Sequence, residues 1–254
     1  KLKEKFPKIH IVEWSDEKID DYWSVFGNIT PSSPWFSEKS KHWILKEIKK
    51  NYLNLNKNTK LLDMGCGSGK FLNFIKNELK IDCYGIDVAK ERIINCKEKY
   101  KNINFSIGST EKTSYENNFF DIIISTQTIE HLDNKKLHNS FLEFYRILKP
   151  NGILLITTRY NEDLSKGVKL CPDCHAVFKH SQHMQSFSIE RLNDILENYN
   201  FYSVILKRSI CKLSVEQYFI SRFTKLNKLI YFLFGSYFDK KKGKYLYSLS
   251  KKID

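Results

Sequence analysis

The sequence predicts an α/β fold, a doubly wound and mostly parallel sheet with helices on both faces. Three observations predict it. From Lys60 onward, short apolar runs alternate with segments of helical spacing. The first of these runs ends in a glycine-rich turn that opens a helix. The run Phe120–Ser125 is almost wholly apolar, as a central strand covered on both faces should be.

Each element follows from local pattern. The first strand, Leu61–Met64, leads into Gly65-Cys66-Gly67-Ser68-Gly69, after which Phe71, Leu72, Phe74, Ile75 and Leu79 recur at helical spacing. A second strand, Cys83–Ile86, ends at Asp87 before a helix around Glu91–Lys99. A third, Ile103–Ile107, ends at Gly108, and Phe120–Ser125 is the fourth. A helix over Leu137–Leu148 stops at Pro150-Asn151-Gly152, and Ile153–Thr157 forms the fifth strand. Residues Arg159–Gln185 then read as polar and irregular. The pattern resumes with a helix from Ile189 to Asn198, capped by Ser188, and a strand over Tyr202–Leu206. Ser214–Phe238 reads as helical and aromatic, and Tyr245–Ser250 as a last strand. Upstream, Asp16–Lys50 reads as two short helices joined by Pro31-Ser32-Ser33-Pro34.

With 254 residues, 41% of them hydrophobic and 28% charged, the chain can build a sizeable core, which excludes wholesale disorder. The net charge is +13, and residues 201–254 hold twelve Lys/Arg against three acids. That basic end favours an anionic partner: a phosphate-bearing substrate, nucleic acid or lipid headgroups. No run of about 18 apolar residues occurs, so no spanning helix is expected. Lys1–His10 does not read as a secretory leader. Of six cysteines only Cys171 and Cys174 are closely paired, which fits metal or redox chemistry in a reducing compartment, and a cytoplasmic protein is expected.

The glycine turn lacks the third glycine of a dinucleotide fingerprint, since Lys70 stands there, and Gly69-Lys70-Phe71 is not a phosphate loop. With Asp63 two residues before the first glycine, the run instead resembles the first motif of class I S-adenosylmethionine-dependent methyltransferases. Phe120-Asp121, Glu130-His131-Leu132 and Leu148-Lys149-Pro150-Asn151-Gly152 resemble that family's later signatures. The resemblance covers about residues 55–158, with Tyr245–Lys252 similar to its final strand. It implies a Rossmann-like seven-stranded sheet with a reversed last strand and an insertion after strand 5. It divides the chain into an N-terminal helical cap (1–55) and a methyltransferase domain (56–254). Within that domain lie a Cys/His-rich insertion (159–187) and a basic aromatic helical insertion (212–240).

The resemblance also implies S-adenosyl-L-methionine as cofactor. Asp63, Gly65, Cys66, Gly67 and Gly69 would wrap its methionine part. Asp87, with Val88 beside it, would bind the ribose hydroxyls, a carboxylate being a good double acceptor for a vicinal diol; the bland alternative is a helix cap. Ser109, Thr110 and Glu111 stand where relatives carry an adenine-binding acid, here replaced by Ser109. Thr126 and Gln127 are expected cofactor contacts by position. Tyr22, Trp23, Trp35 and Phe36 would cover the cofactor or pack in the core.

His131, just past the fourth strand, is the histidine expected nearest the transferable methyl and the candidate general base; a packed or capping histidine is the alternative. Some quinone-pathway relatives carry Glu-x-x-Glu-His with a divalent cation at this place; Gln127 replaces the first Glu here, so a magnesium site is not expected. Cys171-Pro172-Asp173-Cys174 has knuckle spacing for a structural Zn2+, with His183 and His180 as further ligands and Cys211 as an alternative. His175 would occupy the left-handed turn position where relatives have glycine.

The expected reaction is methyl transfer, with oxygen as the expected acceptor atom, to a small molecule or surface-glycan precursor, anionic and of the kind used in capsular phosphoramidate decoration. The basic tail reads as a core-packed helix, a substrate lid or an attachment to an anionic membrane surface. Nucleic acid is not the expected partner, because no aromatic RNA-binding sheet signature occurs. An RNA methyltransferase and a non-catalytic cofactor-binding module are the rivals. A steep salt dependence of binding would mark the first; calorimetry with S-adenosylmethionine and S-adenosylhomocysteine decides the second, and no binding would sink the enzyme reading.

Overall fold

A computed structural model describes residues 8–29, 36–209 and 244–253. The expected helix over Ser214–Phe238, the 212–240 insertion, Trp35 and Cys211 lie outside the described residues.

The chain forms a first short strand β1 (His10–Ile11), helices α1 (Asp16–Ile29) and α2 (Phe36–Asn51), then strand β2 (Lys60–Met64) and helix α3 (Lys70–Leu79). Next come β3 (Asp82–Asp87), α4 (Lys90–Lys99), β4 (Asn104–Ile107) and β5 (Phe120–Thr126). A 3-10 turn (Ile129–His131), α5 (Asn134–Ile147) and β6 (Leu148–Arg159) follow. The last elements are β7 (Val168–Leu170), β8 (Ala176–Lys179), α6 (Ile189–Asn198), β9 (Phe201–Ser209) and β10 (Tyr245–Lys252).

Seven strands make one sheet in the order β4-β3-β2-β5-β6-β10-β9. Strands β2 to β6 pair in parallel, Leu61 lying beside Ile122 and Ile122 beside Ile153. Strand β10 is antiparallel to both neighbours, with Leu249 opposite Leu155 and Ile205. This is the expected seven-stranded sheet with one reversed strand. The period-two rule of a strand divides its side chains between two cores. Leu61, Ile122, Ile124 and Leu155 pack under α2, α3 and α4 with Ile44, Leu72 and Ile93. Leu62, Ile123, Leu154 and Ile156 pack under α5 and α6 with Phe141, Phe144 and Leu192. Burial on both faces is why these strands read as unbroken apolar runs.

Helix α2 is built into the first core, with Ile44 and Ile48 fully buried. Asp121 ties it to the sheet: its carboxylate accepts from Tyr52 Oη (2.9 Å), Lys60 N (2.8 Å) and Lys149 Nζ (2.8 Å). Burial works against that charge, but the three donors together hold the carboxyl below the usual range. Ser188 caps α6 as expected, its hydroxyl accepting from Arg191 N at 3.1 Å.

Residues 159–187 differ from the irregular insertion expected. Strands β7 and β8 form an antiparallel hairpin, with Val168 opposite Lys179, and β1 adds to β8 in parallel, His10 beside Ala176. Two to four residues per strand, all exposed in β7, leave no apolar period to read in sequence. The N-terminal partner is more than 160 residues away.

Candidate active site

Strand order reverses between β2 and β5: the chain proceeds outward through β3 and β4, then returns to build β5 and β6 on the other side. Ligands of doubly wound sheets bind at such a switch point, at the carboxyl ends of the strands. There the structure holds a cavity of about 820 Å³, floored by the loops after β2, β3, β4 and β5 and roofed by Asp16, Ile19, Asp20 and Trp23 of α1.

The glycine loop is the floor. Gly65 N and Cys66 N both donate to Ile86 O, at 2.8 and 2.9 Å, pinning the loop to the end of β3. Gly65 has φ +84°, and a Cβ there would lie 2.4 Å from Thr128 Oγ1, so only glycine fits. Asp87 closes the loop from the other side: Oδ2 accepts from Gly67 N at 2.8 Å and Oδ1 from Ala89 N at 2.9 Å. Asp63 lies buried beneath and does not line the cavity. Burial, and then the negative charge of Asp87, push its carboxyl up to about 8. Among the described residues its Oδ1 has no hydrogen-bond partner. A buried carboxyl that keeps its proton for want of a counter-charge would ionise more readily beside a ligand carrying positive charge, as a sulfonium with an amino group does.

Most of the expected cofactor residues meet here. Gly65, Cys66, Gly67, Asp87 and Val88 line the cavity together with Ser109, Thr110, Thr126 and Gln127. Gly69, at φ +68°, instead opens α3, its Cβ position facing the Phe105 ring. Glu111 stands off the wall and positions Ser109, accepting from its hydroxyl and donating its N–H to the same oxygen, both at 3.1 Å. Thr110 Oγ1 is 2.6 Å from Ser140 Oγ. The thiol of Cys66 is buried and pushed up, so it is no nucleophile.

At the other end of the cavity stands His131. Its ring meets Trp23 edge-on at 4.9 Å and His183 at 4.7 Å. Its Nδ1 is 3.3 Å from Gln182 O. Burial first, and then the neighbouring His183, push it down to about 3, so the imidazole is neutral. Gln182, which is not among the residues expected from sequence, joins three elements. Its Oε1 accepts from Trp23 Nε1 at 3.0 Å, and its Nε2 donates to His131 O at 3.3 Å. Nothing in the sequence marks it, because its role depends on a left-handed backbone (φ +54°) inside the insertion. Lys136 and Arg159, also unread in sequence, bring cationic side chains to the same cavity. Lys136 pairs with Asp16 of α1, and Arg159 lies over the Tyr245 ring at 5.0 Å.

The four expected zinc ligands do not assemble. Cys171 and Cys174 flank the turn between β7 and β8, where His175 takes the left-handed position expected of it, at φ +60°. His183 Nδ1 is engaged by Glu162 Oε2 at 2.5 Å, and His180 Nδ1 lies 3.1 Å from Gly167 O. Among the described residues the clustered donors are Glu130, His131 and His183, and neither cysteine belongs to that cluster. The knuckle spacing shaped a hairpin turn, and the histidines were drawn to other partners.

A family model described as a methyltransferase domain matches residues 36–205, and the chain belongs to this family, the class I S-adenosylmethionine-dependent methyltransferases. It is an S-adenosylmethionine-dependent methyltransferase. The chain is 27% identical over 205 residues to a phosphoethanolamine N-methyltransferase of Plasmodium falciparum, a match covering 77% of this chain and 70% of that one. It is 27% identical over 230 residues to phosphoethanolamine N-methyltransferase 3 of Arabidopsis thaliana, covering 84% of this chain but only 44% of the relative. Among solved structures, phosphoethanolamine N-methyltransferase 2 of Haemonchus contortus, in complex with S-adenosyl-L-methionine, superposes with a TM-score of 0.57 at 20% identity. That match covers 94% of this chain and 58% of that one. The cyclase SpnF shares the fold with a TM-score of 0.64 at 16% identity, covering 96% and 98%, a reminder that this fold hosts more than one chemistry.

Proposed function

We propose that the enzyme methylates a small phosphate-bearing acceptor. The observation that carries this is a single cavity lined by the cations Lys136 and Arg159 and by the neutral His131. The cations suit a phosphate, and the imidazole lies where the acceptor's nucleophilic atom must approach the methyl. The similarity to phosphoethanolamine N-methyltransferases supports the same class of acceptor.

Glycine-loop amides, Asp87, Ser109 and Thr110 would hold the cofactor, which supplies an electrophilic methyl. The chain's own work is alignment and exclusion of water. Helix α1 lays Trp23 against His131, and Gln182 fixes both. A neutral imidazole is in the protonation state that accepts a proton from a hydroxyl or ammonium acceptor. Methylation of oxygen on a phosphorylated or nucleotide-linked sugar, the capsular reading, is supported by charge alone. The described cysteines are free thiols, which suits a cytoplasmic enzyme. No helix among the described residues is long and apolar enough to cross a membrane.

The test uses methyl-labelled S-adenosylmethionine with phosphoethanolamine, ethanolamine, a sugar phosphate and a structured RNA. Label in a phosphorylated small acceptor, and none in ethanolamine, is expected. Label in RNA alone, with a steep loss on added salt, would replace this reading with the RNA one.

A further inference from the structure

We infer that Cys171 and Cys174 form a reversible dithiol site on the turn between β7 and β8, oxidised to a mutual disulfide by exchange with low-mass disulfides of the glutathione class.

The turn is built to hold the two thiols together. Pro172 follows Cys171 and fixes φ at its own position, and His175 closes the turn in the left-handed region at φ +60°. His175 N donates to Cys171 O at 3.0 Å, and Cys171 N donates to Ala176 O at 2.8 Å. A turn closed from residue i+4 back to residue i keeps the Cα atoms of residues i and i+3 within the roughly 4.4–6.8 Å that a disulfide spans. The Cys174 thiol already hydrogen-bonds to the Cys171 sulfur. Cys174 is exposed and Cys171 half-buried, whereas Cys66, Cys83 and Cys96 are buried. Among the described residues no third metal donor joins the pair, since His183 is engaged by Glu162 and His180 faces Gly167 O. The partner left to each thiol is the other.

The two sulfurs are not equivalent. The N–H groups of Cys174 and Asp173 converge on the Cys171 sulfur and hold its thiol below the ordinary range. Backbone donors do here what a helix N-terminus does for a thiolate, so Cys171 is the attacking sulfur. Having lost its proton, it attacks one sulfur of the low-mass disulfide, whose S–S bond breaks as the new bond forms. The departing low-mass thiolate takes up a proton. Cys174, deprotonated in turn, attacks the Cys171 sulfur of the mixed disulfide and expels the second low-mass thiolate, which is protonated likewise. The two cysteines lose two electrons and two protons, and the low-mass disulfide gains them as two thiols. Neither cysteine lines the cavity, so the exchange needs no cofactor and stands apart from the methyl-transfer reading.

The test uses the full chain, reduced, then held in mixtures of reduced and oxidised glutathione, quenched with acid and mapped by mass spectrometry. The peptide carrying Cys171 and Cys174 should come out lighter by two hydrogens and regain them with dithiothreitol. Cys174→Ser should accumulate a glutathione adduct at Cys171, and Cys171→Ser should form one at Cys174 at least about tenfold more slowly. Cys66, Cys83 and Cys96 should stay unmodified, and thermal unfolding confirms that both variants fold. No disulfide at any glutathione ratio, or modification of the buried cysteines as fast as Cys171, overturns the site. Adducts forming equally fast in the two variants overturn the assignment of the attacking sulfur. About one equivalent of zinc in the purified chain, blocking adduct formation until a chelator removes it, overturns the site in favour of a metal knuckle.

Discussion

Asp87 Oδ2 accepts from Gly67 N at 2.8 Å, so the acid at the end of β3 holds the glycine loop at the end of β2. One carboxylate therefore has two tasks. It shapes the loop from within and turns its remaining lone pairs toward the cavity. Asp87→Ala should weaken S-adenosylmethionine binding at least about tenfold, since loss of a charged acceptor for two hydroxyls costs roughly 1.5–3 kcal/mol. Isothermal calorimetry reads it, and unchanged affinity would remove Asp87 from the site.

Gly65 tests the loop from the opposite direction. Its φ of +84° and the 2.4 Å approach to Thr128 Oγ1 leave no room for a methyl group. Gly65→Ala should cost roughly 1–3 kcal/mol in urea unfolding through strain and overpacking. Adding Thr128→Ala should recover the steric part and leave the backbone part. Full recovery would mean that the left-handed geometry is free to relax.

The strands and the loop were legible because their causes are local. Burial on both faces writes itself as runs such as Ile122–Ile124, and a turn under a ligand demands glycines. The insertion was not legible, because its causes are distant. Strand β8 gains its partner from His10–Ile11, and His183 is claimed by Glu162, 21 residues away, rather than by the cysteines nearer in sequence. The acceptor wall was half legible. His131 was found by its place after β5, whereas Gln182, Lys136 and Arg159 carry no motif and are visible only once α1 and the insertion close over the sheet.

Cys171 differs from the other cysteines. The N–H groups of Cys174 and Asp173, and then the Cys174 thiol, lower it on an open turn, while burial pushes Cys83 up to about 12 and Cys96 up to about 11. Iodoacetamide at neutral pH should therefore label Cys171 well before Cys66, Cys83 or Cys96 in the native protein. Peptide mapping checks this, and uniform labelling would mean that the sheet opens on the alkylation timescale.

His131→Ala should lower turnover at saturating substrates by about a hundredfold, with cofactor affinity within a few-fold of the parent, because the ring stands at the acceptor end and not on the glycine loop. Turnover close to the parent enzyme would restrict the ring to packing between Trp23 and His183.

Asp63 sets a pH dependence whose sign follows from its raised carboxyl. In the folded protein it titrates at about 8, against 3.8 for an ordinary aspartate. Between those values the folded state keeps a proton that the unfolded state has released. The contribution of Asp63 to stability then falls as pH rises from about 4 to about 8, with a slope of up to about 1.4 kcal/mol per pH unit, and levels off above. Asp63→Asn removes that proton exchange. An amide beneath the loop adds a cost of its own, but one independent of pH, so the slope and not the absolute stability is diagnostic. Urea unfolding of parent and variant at pH 5, 6, 7 and 8 should show their difference moving steadily in favour of the Asp63→Asn variant. A constant difference across that range would mean that Asp63 is already ionised in the fold, and that it has found a positive partner before any cofactor arrives.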